Sequence, residues 1–109
     1  MDTIFHEYDL IDLPGKLNIR NINNVHDVIY QKLKSGKSIL ISVPKNAEAD
    51  LSFVQIIESA RIQAKSSGIH ILMSNPAEGS VLDVLERGGF KESFSAEDKK
   101  FWLHQEAIQ

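Results

Sequence analysis

Between Ser38 and Phe90 the chain alternates short apolar runs with amphipathic ones, separated by glycine, serine and proline. Ser38–Val43 is nearly continuous in apolar residues, as expected for a strand buried on both faces. Leu51–Lys65 then places Phe53, Ile56, Ile57, Ala60 and Ala64 on one helical stripe. Asp50 stands where a helix cap belongs, and Ser66-Ser67-Gly68 ends the helix. Ile69–Met73 reads as a second central strand and Asn75-Pro76 as a turn. Gly79–Arg87 is a third helix that buries Val81, Leu82, Val84 and Leu85 and stops at Gly88-Gly89. Strand, helix, strand, helix implies an α/β fold with a mostly parallel sheet and right-handed crossovers.

The segments before this stretch extend the pattern. Tyr8–Leu13 predicts a first strand, Pro14-Gly15 a turn and Lys16–Ile19 a short extended segment. Asn21, Asn23 and Asn24 are suited to capping a helix over Val25–Lys34, with Val25, Val28, Ile29 and Leu33 on one face. Ser35-Gly36 ends it, Gly36 supplying a left-handed cap. Pro44–Ala49 reads as a loop. After Phe90, Ser95-Ala96-Glu97-Asp98 has the form of a capping box, and Phe101, Trp102 and Leu103 follow in a short charged helix. We expect these two aromatic residues to pack back onto the domain; a partner or dimer contact is the alternative, because tryptophan is enriched at binding hot spots. The 109 residues suit one domain and one core.

Composition narrows the function classes. The formal net charge is −3 and no basic run is present, which argues against nucleic acid as the main partner. Without cysteine, disulfides and thiolate chemistry are excluded. His6, His26, His70 and His104 show no helical i, i+4 pair, so no metal site is expected. Neither a G-x-G-x-x-G nor a Walker pattern occurs, and no cofactor is expected. The acidic start, Met1–Glu7, does not read as a secretory signal, and no apolar run approaches the ~20 residues of a membrane span. We therefore expect a cytoplasmic protein with no direct membrane insertion.

Element order and spacing together resemble the STAS domain, the family of anti-sigma factor antagonists. The family turn L-x-G-x-L-D is matched by Leu13, Gly15 and Leu17, with Asn18 at the acidic position. Its buried strand ending D-L-S is matched by Ser42-Val43-Pro44. Its D-S-S-G-L-G-V-L-L segment aligns with Asp50 to Glu58, so that Leu51 stands at the regulatory phosphorylation site and Phe53 and Gln55 replace two glycines. Ala60, Gly68, Ile69–Met73, Pro76, Val81, Leu85 and Gly89-Phe90 match the C-terminal half. The resemblance implies a STAS-like fold with a mixed, mostly parallel sheet of four to five strands packed by helices. The domain would cover residues 1–92, with 93–109 as a C-terminal helical extension.

The resemblance also implies function. It points to a non-enzymatic protein–protein interaction module in bacterial signal transduction, binding an anti-sigma factor or a related histidine-kinase-like ATPase and acting in transcription regulation. The contact surface would be Pro44–Asp50 and the start of the second helix: Asn18, Lys45, Asn46, Glu48, Asp50, Leu51, Ser52 and Gln55. The family also leaves room for a homodimer, for a chemotaxis or stress-signalling role, and for an accessory subunit of an ABC lipid transporter.

Ser52 is the candidate phosphorylation site, because a helix N-terminus stabilises a phosphate through free N–H groups and its partial positive charge. Its plain alternative is an ordinary first-turn serine. Asp50 likewise reads as a helix cap or as part of a partner surface. Open α/β sheets bind ligands at the carboxyl ends of strands, which would put Glu48, Asp50 and Glu78 in reach of a small molecule. No nucleophile–base pair accompanies them.

Overall fold

The computed structural model describes residues 8–105. The acidic start with His6, and residues 106–109 of the extension, lie outside the described residues. Strands β1 (Asp9–Asp12), β2 (Lys16–Leu17), β3 (Ile39–Ser42), β4 (Glu48–Ala49) and β5 (Ile71–Met73) alternate with helices α1 (Ile22–Lys34), α2 (Leu51–Ser66), α3 (Gly79–Arg87) and α4 (Ala96–Leu103), a 3-10 turn over Lys91–Ser93 preceding α4. The fold is α/β, as the alternation predicts.

The expected four to five strands divide between two sheets. β1, β3 and β5 form one sheet in that order, and β2 and β4 form a two-stranded ribbon. Every pairing among the described residues is parallel. The register aligns Asp9, Leu10, Ile11 and Asp12 with Ile39, Leu40, Ile41 and Ser42, and Ile39, Leu40 and Ile41 with Ile71, Leu72 and Met73. The strand order advances in one direction, so two right-handed crossovers put α1 and α2 on the same face. Tyr30 of α1 and Ser59 of α2 are hydrogen-bonded side by side at 2.8 Å, as this requires.

This corrects the expectation that the Ser38–Val43 strand is buried on both faces. Ile39 and Ile41 are fully buried under the helices, with Ile11 and Met73 beside them. Leu40 is half-buried on the opposite face, and its neighbours Leu10 and Leu72 are 56% and 45% exposed. No described helix covers that side.

The core lies between sheet and helices. α1 contributes Ile22, Val25, Ile29 and Leu33, and α2 contributes Phe53, Val54, Ile57, Ala60 and Ala64. The helix predicted to start at Val25 starts three residues earlier, because Ile22 extends the buried stripe by one turn. Val28 falls off that stripe and is exposed. Asn21 holds the cap position but its side chain makes no cap bond there. Gly36, after the C-cap Ser35, has φ +82°, the left-handed conformation expected of it. Ile56 is half-buried, whereas Val54, outside the predicted stripe, is completely buried.

Trp102 and Phe101 of α4 close the end of this core. Trp102 is fully buried and meets Phe53 edge-on, ring centroids 6.5 Å apart. Its Nε1 donates to Glu58 Oε2 at 2.7 Å, giving the indole N–H the partner it needs once out of water. Arg61 joins α2 to α4: its Nη1 lies 3.0 Å from Glu58 Oε2 and 2.9 Å from Asp98 Oδ1, and its guanidinium sits 4.3 Å from the Phe101 ring centre.

Candidate functional site

The sequence-predicted surface surrounds the N-terminus of α2, and the segment leading to it is more ordered than a loop. Pro44–Ala49 contains strand β4, which pairs with β2. The Glu48 amide donates to Gly15 C=O at 2.7 Å and the Asp50 amide to Leu17 C=O at 3.2 Å. Ser80 of α3 holds the same segment from the other side: its Oγ donates to Ala47 C=O at 2.6 Å and accepts from the Ala49 amide at 2.8 Å. Ala47 is buried beneath this turn. Two residues are too few for alternation to reveal a strand, so the polar composition of the segment concealed it.

Asp50 is the hub of the site. Its backbone is extended and its carboxylate accepts from the Ser52 amide at 3.0 Å, the bond of an N-cap. The same oxygen accepts from Ser52 Oγ, and the second oxygen accepts from the Ile19 amide at 3.0 Å. Partial burial raises the Asp50 pKa. The Ser52 hydroxyl and the Ile19, Ser52 and Phe53 amides outweigh it and hold the carboxyl below its ordinary value. The helix N-terminus therefore already carries its anion, supplied by the chain.

Ile19 is the residue that sequence reasoning missed. The sequence of Lys16–Ile19 predicts an extended segment, but β2 ends at Leu17. Asn18 Oδ1 accepts from the Arg20 amide at 3.1 Å, a side-chain turn that swings Ile19 outward. Ile19, whose amide bonds the Asp50 carboxylate, is 67% exposed, and Leu51, the residue after Asp50, is 47% exposed. The signal was the asparagine, whose side chain competes with extended pairing. Gln55, one turn beyond Leu51, is exposed on the same helix face.

The predicted residues thus separate. Asn18, Asp50, Leu51, Ser52 and Gln55 come together, joined by Ile19. Glu48 lies on β4 with its carboxylate 2.9 Å from Lys16 Nζ, an exposed pair. Lys45 and Asn46 are exposed on the turn before β4, where the Lys45 carbonyl approaches Gly79 of α3. Among the described residues no hydrogen bond joins either to Asp50.

The carboxyl ends of β3 and β5 enclose a cavity of about 20 Å³, lined by Val43, Met73, Pro76, Glu78 and Val81 among others. That is space for about one water molecule. No group of three or more metal-ligating side chains occurs among the described residues, and no described helix is long and apolar enough to cross a membrane. No protein-family model, curated protein or solved structure matches this chain.

Proposed function

We propose that the chain is a non-catalytic protein–protein interaction module of bacterial signalling, similar to an anti-sigma factor antagonist with a STAS-like fold. Its partner is an anti-sigma factor or another kinase-like signalling protein, and its contact surface is centred on Leu51 and Ile19. The observation that carries this reading is the exposure of these two apolar side chains around a helix start that the chain's own Asp50 has closed. Exposed apolar groups on a rigid, hydrogen-bonded frame suit burial against another protein, because little ordering is required on binding.

The proposed surface is constitutive. The Ser52 hydroxyl donates to Asp50, and a phosphate on it would set about two negative charges beside that carboxylate. It would also remove the hydroxyl's bond to the cap. Supply of the partner, rather than modification of Ser52, then governs binding.

Affinity capture from the native cytosol tests this reading, with the wild-type chain and Leu51→Glu used side by side. Wild type should retain a kinase-like ATPase or anti-sigma factor, Leu51→Glu should lose at least nine-tenths of it, and Ser52 should carry no phosphate. Recovery of transporter subunits, or equal capture by both chains, would overturn it.

A further inference from the structure

A second surface lies along the outer edge of β5. A groove of about 890 Å³ runs between α2, β5 and α4. Ile69, His70, Ile71, Leu72 and Met73 all line it, so it follows the whole strand. Among the described residues β5 has one sheet neighbour, β3. The Ile39 amide donates to His70 C=O at 2.9 Å, and the Ser74 amide donates to Ile41 C=O at 2.8 Å. These bonds set the ladder, directing the backbone groups of His70, Leu72 and Ser74 toward β3. The intervening residues of a parallel strand turn theirs the other way.

The amides and carbonyls of Ile71 and Met73 therefore face the groove. His104 Nε2 bonds to one of them, 3.0 Å from the Met73 carbonyl oxygen. Among the described residues nothing bonds to the Ile71 amide, the Ile71 carbonyl or the Met73 amide. Folded proteins guard such edges with charge, proline, bulges or cover. β5 itself reads Ile-Leu-Met and has none of the first three. Ile62 of α2, which also lines the groove, is 71% exposed.

The geometry points to an extended peptide segment of a partner protein as the occupant, added beside β5 as a fourth strand of the sheet. Unpaired backbone groups at every second residue are what an extended chain satisfies; a helix has already used its own. The lined stretch is about 13 Å long at ~3.3 Å per residue, the length of about five extended residues.

The groove also selects side chains. One alternate set would continue the Leu10–Leu40–Leu72 row, and the other would face Ala64 and Phe101. The rim charges balance in sign, Glu58, Glu97 and Asp98 against Arg61, Lys65 and Lys100, with Arg61 held by Glu58 and Asp98 at 3.0 and 2.9 Å and Lys65 by Glu97 at 3.9 Å. They leave no single sign to recruit a charged segment, so the peptide would carry apolar residues at alternate positions.

Selection of a phage-displayed library of random heptapeptides on the immobilised chain tests the proposal. Enriched sequences should carry apolar residues at every second position. A synthetic copy should move the amide NMR signals of Ile71 and Met73 and leave that of Leu51 in place. Methylating the peptide nitrogens that face β5 should weaken binding at least tenfold, and methylating the others less than twofold. Leu72→Lys, on an exposed position, should weaken binding about tenfold. No enriched sequence, or a bound peptide that leaves Ile71 and Met73 unmoved, would overturn the proposal. Concentration-dependent shifts of the same two signals without peptide would also overturn it and give the edge to a second copy of this chain.

Discussion

α2 and α4 both have a carboxylate bound into their first turn, yet one helix start is tied to an exposed turn and the other to the core. At α2 the cap is Asp50 itself, which bonds the Ser52 amide and ties in the Ile19 turn. At α4 the cap is Ser95. Its Oγ accepts from the Asp98 amide at 3.1 Å, and Asp98 Oδ2 accepts from the Ser95 amide at 3.0 Å, a capping box. Asp98 also reaches Arg61 and draws α4 onto α2, so Trp102 and Phe101 are buried. Asp50 reaches an exposed turn, so Leu51 and Ile19 are displayed. The same local device closes a core in one place and frames an exposed surface in the other. What differs is the second partner of each carboxylate.

Four experiments probe that contrast. The largest effect should come from Trp102→Ala, which empties the core beneath α4 and leaves Glu58 without the indole N–H. We expect a loss of about 3–5 kcal/mol in urea unfolding. Asp50→Ala should cost about 1–2 kcal/mol, since it removes a cap and the Ile19 bond together. Amide exchange at Ile19 should rise in that variant and stay unchanged in Ser95→Ala, whose own cost should be about 1 kcal/mol. If Ser95→Ala also loosened Ile19, the two helix starts would not be independent.

Acid should weaken both. At Asp98, as at Asp50, burial raises the pKa, but the Ser95 amide, the Arg61 guanidinium and the Ser95 hydroxyl outweigh it, so both carboxyls sit below their ordinary value. The unfolded chain then binds more protons near and below pH ~4. The stability these groups contribute is complete above that pH and is lost as pH falls through their folded pKa values. Asp50→Asn and Asp98→Asn should each flatten the acid limb of a stability-versus-pH curve. An unchanged slope in either variant would remove that carboxylate from the account.

The smallest effect on stability belongs to Leu51→Glu, within about 0.5 kcal/mol, because Leu51 is exposed. Its large effect should be on partner capture. Trp102→Ala should do the reverse at temperatures where it is still folded, retaining capture while losing stability.

Much of this was legible in the chain. The helical stripe through Phe53, Ile57, Ala60 and Ala64, the cap at Asp50, the capping box at Ser95 and the left-handed Gly36 are local patterns, read within a few residues of themselves. β4 was not legible, because its two residues have no period and its pairing lies 32 positions away at Lys16. The exposure of Ile19 was equally hidden. An isoleucine after Leu17 at strand spacing reads as core until the Asn18 turn is seen to divert it.

The sequence by itself determined the α/β alternation, the positions of α2, α3 and α4, the caps at Asp50 and Ser95, and the absence of thiol chemistry. Those properties depend on spacing, on short-range hydrogen bonds and on which atoms the chain contains. The tertiary structure decided which apolar residues were left over. Leu40, Leu72, Leu51 and Ile19 are as apolar as the buried Ile39 and Ile41, and strand alternation puts Leu40 on the other face from these two without saying which face is covered. The division follows from placing α1 and α2 on one face of the sheet and from bending the chain at Asn18. Both are long-range choices, fixed by how the whole chain buries its core.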